Sequence, residues 1–242
     1  MSGTRNAPAP AAPPDTAIYA IGDIHGETGK LDVLHRLILA DAEARGARRR
    51  LAIYLGDYID RGPDSAGILD RLGDDPLPGF EYAFLKGNHE EFMIRFLDGH
   101  GSGATWLANG GIETLASYDL DLTGAVLGED TRREFARRVP AAHRRFLDAL
   151  VPYRVEGDYL FVHAGIRPGR KLEAQVELDM LWIRDVFLNS RADHGHVVVH
   201  GHTPTSEPDE RPNRIGIDTG ACYGGKLTAV VLEGTAREFL RA

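Results

Sequence analysis

The stretch Ala17-Ile18-Tyr19-Ala20-Ile21-Gly22-Asp23-Ile24-His25-Gly26 decides how the rest of the chain is read. Residues 17–21 form a short apolar run with β-branched and aromatic members, closed by a glycine, which predicts a buried strand. Downstream, Leu31, Leu34, Leu37, Ile38 and Ala42 recur at the spacing of an amphipathic helix over 31–44. The pattern then repeats. Leu51 to Leu55 reads as a second strand, and Pro63-Asp64-Ser65 opens a second helix carrying Ile68, Leu69 and Leu72. Tyr82 to Leu85 reads as a third strand, followed by a helix from about His89 to Leu97. Strand, loop and helix alternate through this part, the signature of an α/β fold.

The remainder is less regular. Gly99 to Gly111 predicts a loop around a short helix at 104–108, and 132–150 a helix divided by Pro140. Strands are expected at 153–155, 159–162, 196–200, 215–218, 227–232 and 236–240, the last ones at hairpin-like spacing, so a mixed sheet pair is expected. Residues 1–16, rich in Pro and Ala, read as a disordered tail, and 17–242 as one catalytic domain. The chain of 242 residues carries a net charge of −8, which offers no overall basic field for nucleic acid. Its single cysteine, Cys222, permits no intrachain disulfide and fits a cytoplasmic location. The N-terminal stretch lacks the apolar segment of a secretory signal, and no apolar run is long enough for a transmembrane helix. Arg132, Arg133, Arg137, Arg138, Arg144 and Arg145 form a basic run, read as a solvated helix face or as a rim attracting acidic phosphopeptides.

Polar groups stand directly after the apolar runs. Asp23 and His25 leave the first strand two residues apart, so their side chains can point the same way. A carboxylate with an imidazole is a mixed oxygen and nitrogen ligand set, suited to Mn²⁺, Fe or Zn²⁺ rather than Ca²⁺. Asp57 leaves the second strand in an equivalent place, and its two oxygens could bridge two metals. Asn88 offers an amide oxygen after the third strand, and His163 and His202 each follow a later one. Taken singly, each is an ordinary loop residue. Their joint recurrence at strand ends points to a two-metal hydrolytic site. Glu90 reads as the start of a helix, where a negative charge suits the dipole.

Five motifs carry a resemblance: Gly22-Asp23-Ile24-His25-Gly26, Gly56-Asp57-Tyr58-Ile59-Asp60-Arg61-Gly62, Gly87-Asn88-His89-Glu90, His163-Ala164-Gly165 and Gly201-His202-Thr203-Pro204. In this order they resemble the phosphoprotein phosphatase family of metallophosphoesterases, of the bacterial serine/threonine type within the calcineurin-like superfamily. The likeness runs from Ile18 to about Gly234. It implies a mixed β-sandwich flanked by helices, αββα, with a dimetal site on loops at strand ends. It further implies that Asp23, His25 and Asp57 hold one ion and that Asp57, Asn88, His163 and His202 hold the other. His89 would be the general acid, paired with Asp60. Arg61, Arg184 and Asn88 would contact the substrate phosphate. The stretches Trp106-Leu107-Ala108-Asn109-Gly110-Gly111 and Asp218-Thr219-Gly220 also look like its bacterial members. His200 is read as structural, because the resemblance places the ligand at the histidine before threonine.

The implied chemistry is coherent. Phosphomonoester oxygens repel a nucleophile, and two divalent ions, Mn²⁺ foremost with Fe or Zn²⁺ as alternatives, would offset that charge and lower the pKa of a bridging water for in-line attack. The leaving alkoxide needs a proton, which His89 would supply. The expected substrate is a phosphorylated serine or threonine in a protein or peptide, or a small phosphate ester. The alternative is symmetrical hydrolysis of diadenosine tetraphosphate, against which Asp60 and Glu90 speak, since sequences resembling those hydrolases usually lack them. A third reading, an inactive phosphoprotein-binding scaffold, would require a lost ligand, and none is lost here.

Overall fold

A computed structural model describes residues 9–100, 103–120 and 128–242. The first half alternates as expected: β1 (Thr16–Ile21), α1 (Thr28–Arg45), β2 (Arg49–Tyr54), α2 (Ser65–Gly73), β3 (Glu81–Phe84) and α3 (Asn88–Leu97). A helical segment follows, made of α4 (Ala104–Trp106), a wide π-type turn over Leu107–Gly111, and α5 (Ile112–Ser117). Next come α6 (Glu129–Arg138) and α7 (Ala141–Asp148), separated at Pro140 as expected. The second half carries β4 (Tyr153–Glu156), β5 (Tyr159–Val162), α8 (Glu177–Trp182), α9 (Asp185–Leu188), β6 (Val197–His200), β7 (Asp209–Arg211), β8 (Arg214–Gly216), β9 (Thr228–Glu233) and β10 (Ala236–Arg241).

The strands form two five-stranded sheets, ordered β10-β9-β1-β2-β3 and β4-β5-β6-β8-β7. Both are mixed: β1, β2 and β3 run parallel, whereas β9 pairs antiparallel to β1. Side-chain alternation builds the layers. Ile18, Ala20, Leu51 and Ile53 meet Phe161, Val199, Ile215 and Ile217 between the sheets. On the outer side of the first sheet, Tyr19, Ile21 and Tyr54 pack with Leu34, Ile38, Ile68 and Met93 of the helices. On the other outer side, Leu160, Val162 and Val198 pack against Met180 of α8, Phe187 of α9 and Ile183 between them. The result is helices, sheet, sheet, helices. The central strands β1, β5 and β6 are buried on both faces, so they read as continuous apolar runs rather than as alternation.

Several elements differ from expectation. α5, α8, α9 and β7 were not legible, because each is short and β7 (Asp209-Glu210-Arg211) is wholly polar. Residues 1–8 of the expected tail lie outside the described residues, but within 9–16 Ala12 and Thr16 are buried and residues 10, 11 and 13 half-buried. Ala12 is buried and its N–H donates to the Gly234 carbonyl at 2.7 Å. The Ala11 N–H donates to the Asp158 carboxylate at 2.9 Å, and the Ala11 carbonyl accepts the Asp158 N–H at 3.0 Å. With its backbone groups paired to two hairpin turns, this segment joins the sandwich before Ala17. The basic run behaves as a solvated face: Arg132, Arg133, Arg137, Arg138 and Arg144 pair with Glu129, Glu134, Asp98 and Asp148.

Candidate metal centre and active site

The ends of β1, β2, β3, β5 and β6 converge, and the loops leaving them carry the polar residues. Close approach of backbone explains two glycines. A Cβ at Gly56, where φ is 97°, would lie 2.5 Å from the Gly87 nitrogen, and one at Gly87 would lie 2.2 Å from Asp57 Oδ1. Only glycine lets these loops touch and set Asp57 beside Asn88. Five of the residues singled out by sequence, His25, Asp57, Asp60, Arg61 and His202, have positive φ between 46° and 73°. A left-handed conformation costs an L-residue roughly 1–2 kcal/mol, so the surroundings must enforce it.

They do so by hydrogen bonds. The N–H groups of Ile24 and His25 donate to the Asp57 carbonyl at 3.0 and 2.9 Å, and the Arg61 N–H donates to the Gly110 carbonyl at 3.0 Å. Glu90 contributes most. Fully buried at the third position of α3, it accepts the N–H groups of Asp57 (2.8 Å) and Gly87 (2.9 Å) on one oxygen and that of Tyr58 (2.8 Å) on the other. It begins the helix, as expected, but its carboxylate serves the loop that carries Asp57 more than the helix dipole. Glu90→Gln places an amide NH₂ where only acceptors fit. It should destabilise the protein by about 1–3 kcal/mol, read as a lower midpoint in urea unfolding; an unchanged midpoint would show that the clamp is dispensable.

Around Asp57 the side chains form a cage. Its Oδ2 lies 3.5 Å from His25 Nε2 and 3.9 Å from His89 Nε2, and its Oδ1 lies 3.4 Å from His163 Nε2. His163 Nε2 also lies 2.9 Å from Asn88 Oδ1 and 3.2 Å from His202 Nδ1. Asp23 joins through the His202 N–H, which donates to its Oδ2 at 3.0 Å. Nitrogen and oxygen atoms of His25, Asp57 and His89, and separately of Asp57, His163 and His202, lie within 4.8 Å of one another, close enough to share an ion. His25, Asn88, His163 and His202 thus gather around the Asp57 carboxylate, whereas Asp23 is reached through the His202 backbone and His89, expected as the general acid, stands in the first group in its place.

Hydrogen bonding fixes where two imidazole lone pairs point. His25 Nδ1–H donates to the Ile59 carbonyl at 2.7 Å and His163 Nδ1–H to the Leu55 carbonyl at 2.9 Å. Since a carbonyl only accepts, both Nε2 atoms are left unprotonated on the side of Asp57, that of His25 accepting from Arg61. The buried Nε2 of His202 has no hydrogen-bond partner. Burial holds His25 at a pKa of about 3 and His202 at about 2, and lowers His163, so all three are neutral at neutral pH, the form in which an imidazole can bind a metal. Burial pushes Asp57 up, yet attraction to His163, His89, His25 and His202 in their protonated forms outweighs it and takes Asp57 below the usual carboxylate range. Burial, with Asp218 and Asp57 nearby, pushes Asp23 well above that range, and burial raises Asp218 to about 6. Crowded lone pairs and acids around one buried carboxylate are what divalent cations satisfy. The residues fit such ions.

Beside the cage, His89 Nδ1–H donates to Asp60 Oδ2 at 2.6 Å. The same oxygen accepts the Trp106 indole N–H at 2.8 Å, and Oδ1 accepts the Thr114 hydroxyl at 2.5 Å. Burial raises Asp60, opposed by its bonds to His89 and Thr114. Burial lowers His89, but Asp57 and Asp60 outweigh it and the imidazole is raised overall. Arg61 Nη1 donates to His25 Nε2 at 2.7 Å, and its guanidinium stands 5.6 Å from the ring centre of the exposed Tyr223. Arg184 is exposed at the rim, where Nη1 donates to Thr203 Oγ1 at 3.2 Å. His200 turns away, with Nε2 3.3 Å from Arg214 Nη1.

Matching this arrangement, the sequence profile described as calcineurin-like phosphoesterase covers residues 16–231. The chain belongs to that family. A further likeness is to serine/threonine-protein phosphatase 1 of Salmonella typhimurium, 29% identical and covering 87% of this chain and 89% of the relative. The asymmetrical bis(5'-nucleosyl)-tetraphosphatase PrpE of Anoxybacillus flavithermus is 27% identical, covering 87% and 88%. Among solved structures, one described as a candidate diadenosine tetraphosphatase matches at a TM-score of 0.64 and 21% identity, covering 97% of this chain and 99% of that one. The cold-active protein-tyrosine phosphatase of a Shewanella species matches at 0.59 and 16%, covering 95% and 83%. These structures share the fold. As in other calcineurin-like phosphoesterases, two metal ions are expected, and the His and Asp groups of this chain fit them. No helix among the described residues is long and apolar enough to cross a membrane.

The sequence named Trp106 and Asp218 only through resemblance and missed Thr114 and the clamp made by Glu90. Thr114 lies on α5, which leaves no clear periodic signal.

Proposed function

We propose that this calcineurin-like phosphoesterase hydrolyses phosphomonoesters, with phosphoserine and phosphothreonine in proteins or peptides as its substrates. The observation that supports this most is the buried pair of His89 and Asp60 at 2.6 Å. In this reading Asp23, His25 and Asp57 would hold one divalent ion, and Asp57, Asn88, His163 and His202 the other. When bound, the ions would offset the phosphate charge and activate water at neutral pH. Asp60 accepts the Nδ1 proton of His89, which leaves Nε2 to carry the proton that a serine or threonine alkoxide requires. Thr114 and Trp106 hold Asp60 in place, so the imidazole keeps one tautomer. Arg61 and Arg184 offer planar donor forks to the phosphate, with the Asn88 amide beside them. Mn²⁺ is the metal proposed, and the cytoplasm the compartment.

The PrpE likeness favours a second reading, hydrolysis of a dinucleoside tetraphosphate. An anhydride leaves as a stable phosphate and has less need of a strong general acid, so the His89 and Asp60 pair speaks for the first. Metal-stripped protein reloaded with Mn²⁺ should release phosphate from a phosphothreonine peptide with kcat/KM at least about tenfold above that for diadenosine tetraphosphate, a difference of about 1.4 kcal/mol. The reverse preference would replace the first reading by the second.

A further inference from the structure

A cleft of about 720 Å³ adjoins the cage, lined among others by Arg191, Thr203, Thr205, Arg211, Asn213 and Arg214. Thr203 is its wall toward the cage: it follows His202 directly, and its hydroxyl accepts from Arg184 at 3.2 Å. Arg214 is buried, at 4% exposure. Its Nη2 donates to Asp209 Oδ2 at 2.6 Å, its Nε to the Leu188 carbonyl at 3.3 Å, and its Nη1 faces His200 Nε2 at 3.3 Å. His200 Nδ1–H donates to the Gly201 carbonyl at 3.0 Å, so the Nε2 lone pair receives that guanidinium. Arg211 Nε takes the other Asp209 oxygen at 2.7 Å.

One carboxylate therefore serves two arginines. Arg191, exposed on the same cleft, pairs with none of the described carboxylates. With Arg184 at the shared wall, the cleft is a concentrated positive region in a chain whose net charge is −8. Folding does not require such a surplus, because like charges in a concave wall repel and a buried arginine costs desolvation. A concave wall also focuses the field on whatever enters.

We propose that this cleft is a subsite for a second anionic group carried on the same molecule as the scissile phosphate, either a carboxylate of a peptide or a further phosphate of a nucleotide. The proposal rests on reading the cage as a phosphoester site. Arg191, exposed and paired with none of the described carboxylates, is the residue that sets the affinity for that second group. It can be reversed in charge without disturbing the bonds of Arg211, Arg214 and Asp209.

The test uses the full Mn²⁺-loaded chain and the Arg191→Glu and Arg191→Ala variants. Calorimetric titration with inorganic tripolyphosphate should show binding to the parent protein that weakens by about tenfold or more in Arg191→Glu, and less in Arg191→Ala. Hydrolysis of p-nitrophenyl phosphate, which has no second anion, should stay within about twofold of the parent. KM should rise in Arg191→Glu for a phosphothreonine peptide flanked by acidic residues but not by neutral ones, which assigns a carboxylate, or for diadenosine tetraphosphate, which assigns a phosphate. Tripolyphosphate binding that is absent, or equal in all three proteins, would overturn the subsite, as would equal losses for every substrate. A parent protein that hydrolyses nothing yet binds tripolyphosphate through Arg191 would sink the phosphatase reading and keep the cleft.

Discussion

Asp57→Asn is expected to lose bound metal and to lower phosphoester turnover by more than the roughly 10–100-fold that removal of an outer-shell partner costs a metal site. Asp57 is the side chain shared by both ligand groups, within 3.5 Å of His25 Nε2 on one oxygen and 3.4 Å of His163 Nε2 on the other. An amide keeps the shape but has one acceptor in place of two, and its NH₂ would face atoms that a cation should occupy. The loop should hold in the variant, because Glu90 grips its backbone rather than its side chain. Metal content by elemental analysis and turnover should therefore fall together while circular dichroism stays unchanged. Two ions still bound at full turnover would rule out the bridging role proposed for Asp57.

His89→Asn should separate substrates by leaving group. General acid catalysis is worth about 10²–10⁴-fold, and that loss is expected for a phosphothreonine peptide or an alkyl phosphate. For p-nitrophenyl phosphate, whose phenolate departs without a proton, the loss should be much smaller. Metal content should be retained, since His89 is outside the proposed ligand set. The bond to Asp60 is what makes this prediction specific: with Nδ1–H committed at 2.6 Å, only Nε2 is left to serve the leaving group. Equal losses for both substrates would assign His89 to binding or to the metals instead.

The two halves of the chain differed in how much they disclosed, for physical reasons. β1 and the end of β2 are short apolar runs buried on both faces, β3 keeps three apolar or aromatic residues, and the helices between them bury one face, so period and punctuation sufficed. In the second half, α8 is six residues, α9 four and β7 three, too short to show a period. The packed segment 9–16 was read as tail because Pro and Ala signal disorder. Its hydrogen bonds go to Asp158 and Gly234, far along the chain and silent in local composition.

At the candidate site, the sequence determined which chemical groups are available and that each follows a strand end: carboxylates, imidazoles and an amide in a fixed order. It also determined their spacing within each motif, which is a local property of the backbone. Tertiary structure decided what lies between motifs. Leu55 and Ile59 carbonyls orient His163 and His25, and Glu90 clamps a loop more than 30 residues before it. Trp106 and Thr114 fix Asp60, five site residues take left-handed backbone, and Arg191 faces a cleft beyond Thr203. Each of these depends on a distance between residues remote in sequence. Such distances are set by how the two sheets and their helices pack, and no local pattern encodes them.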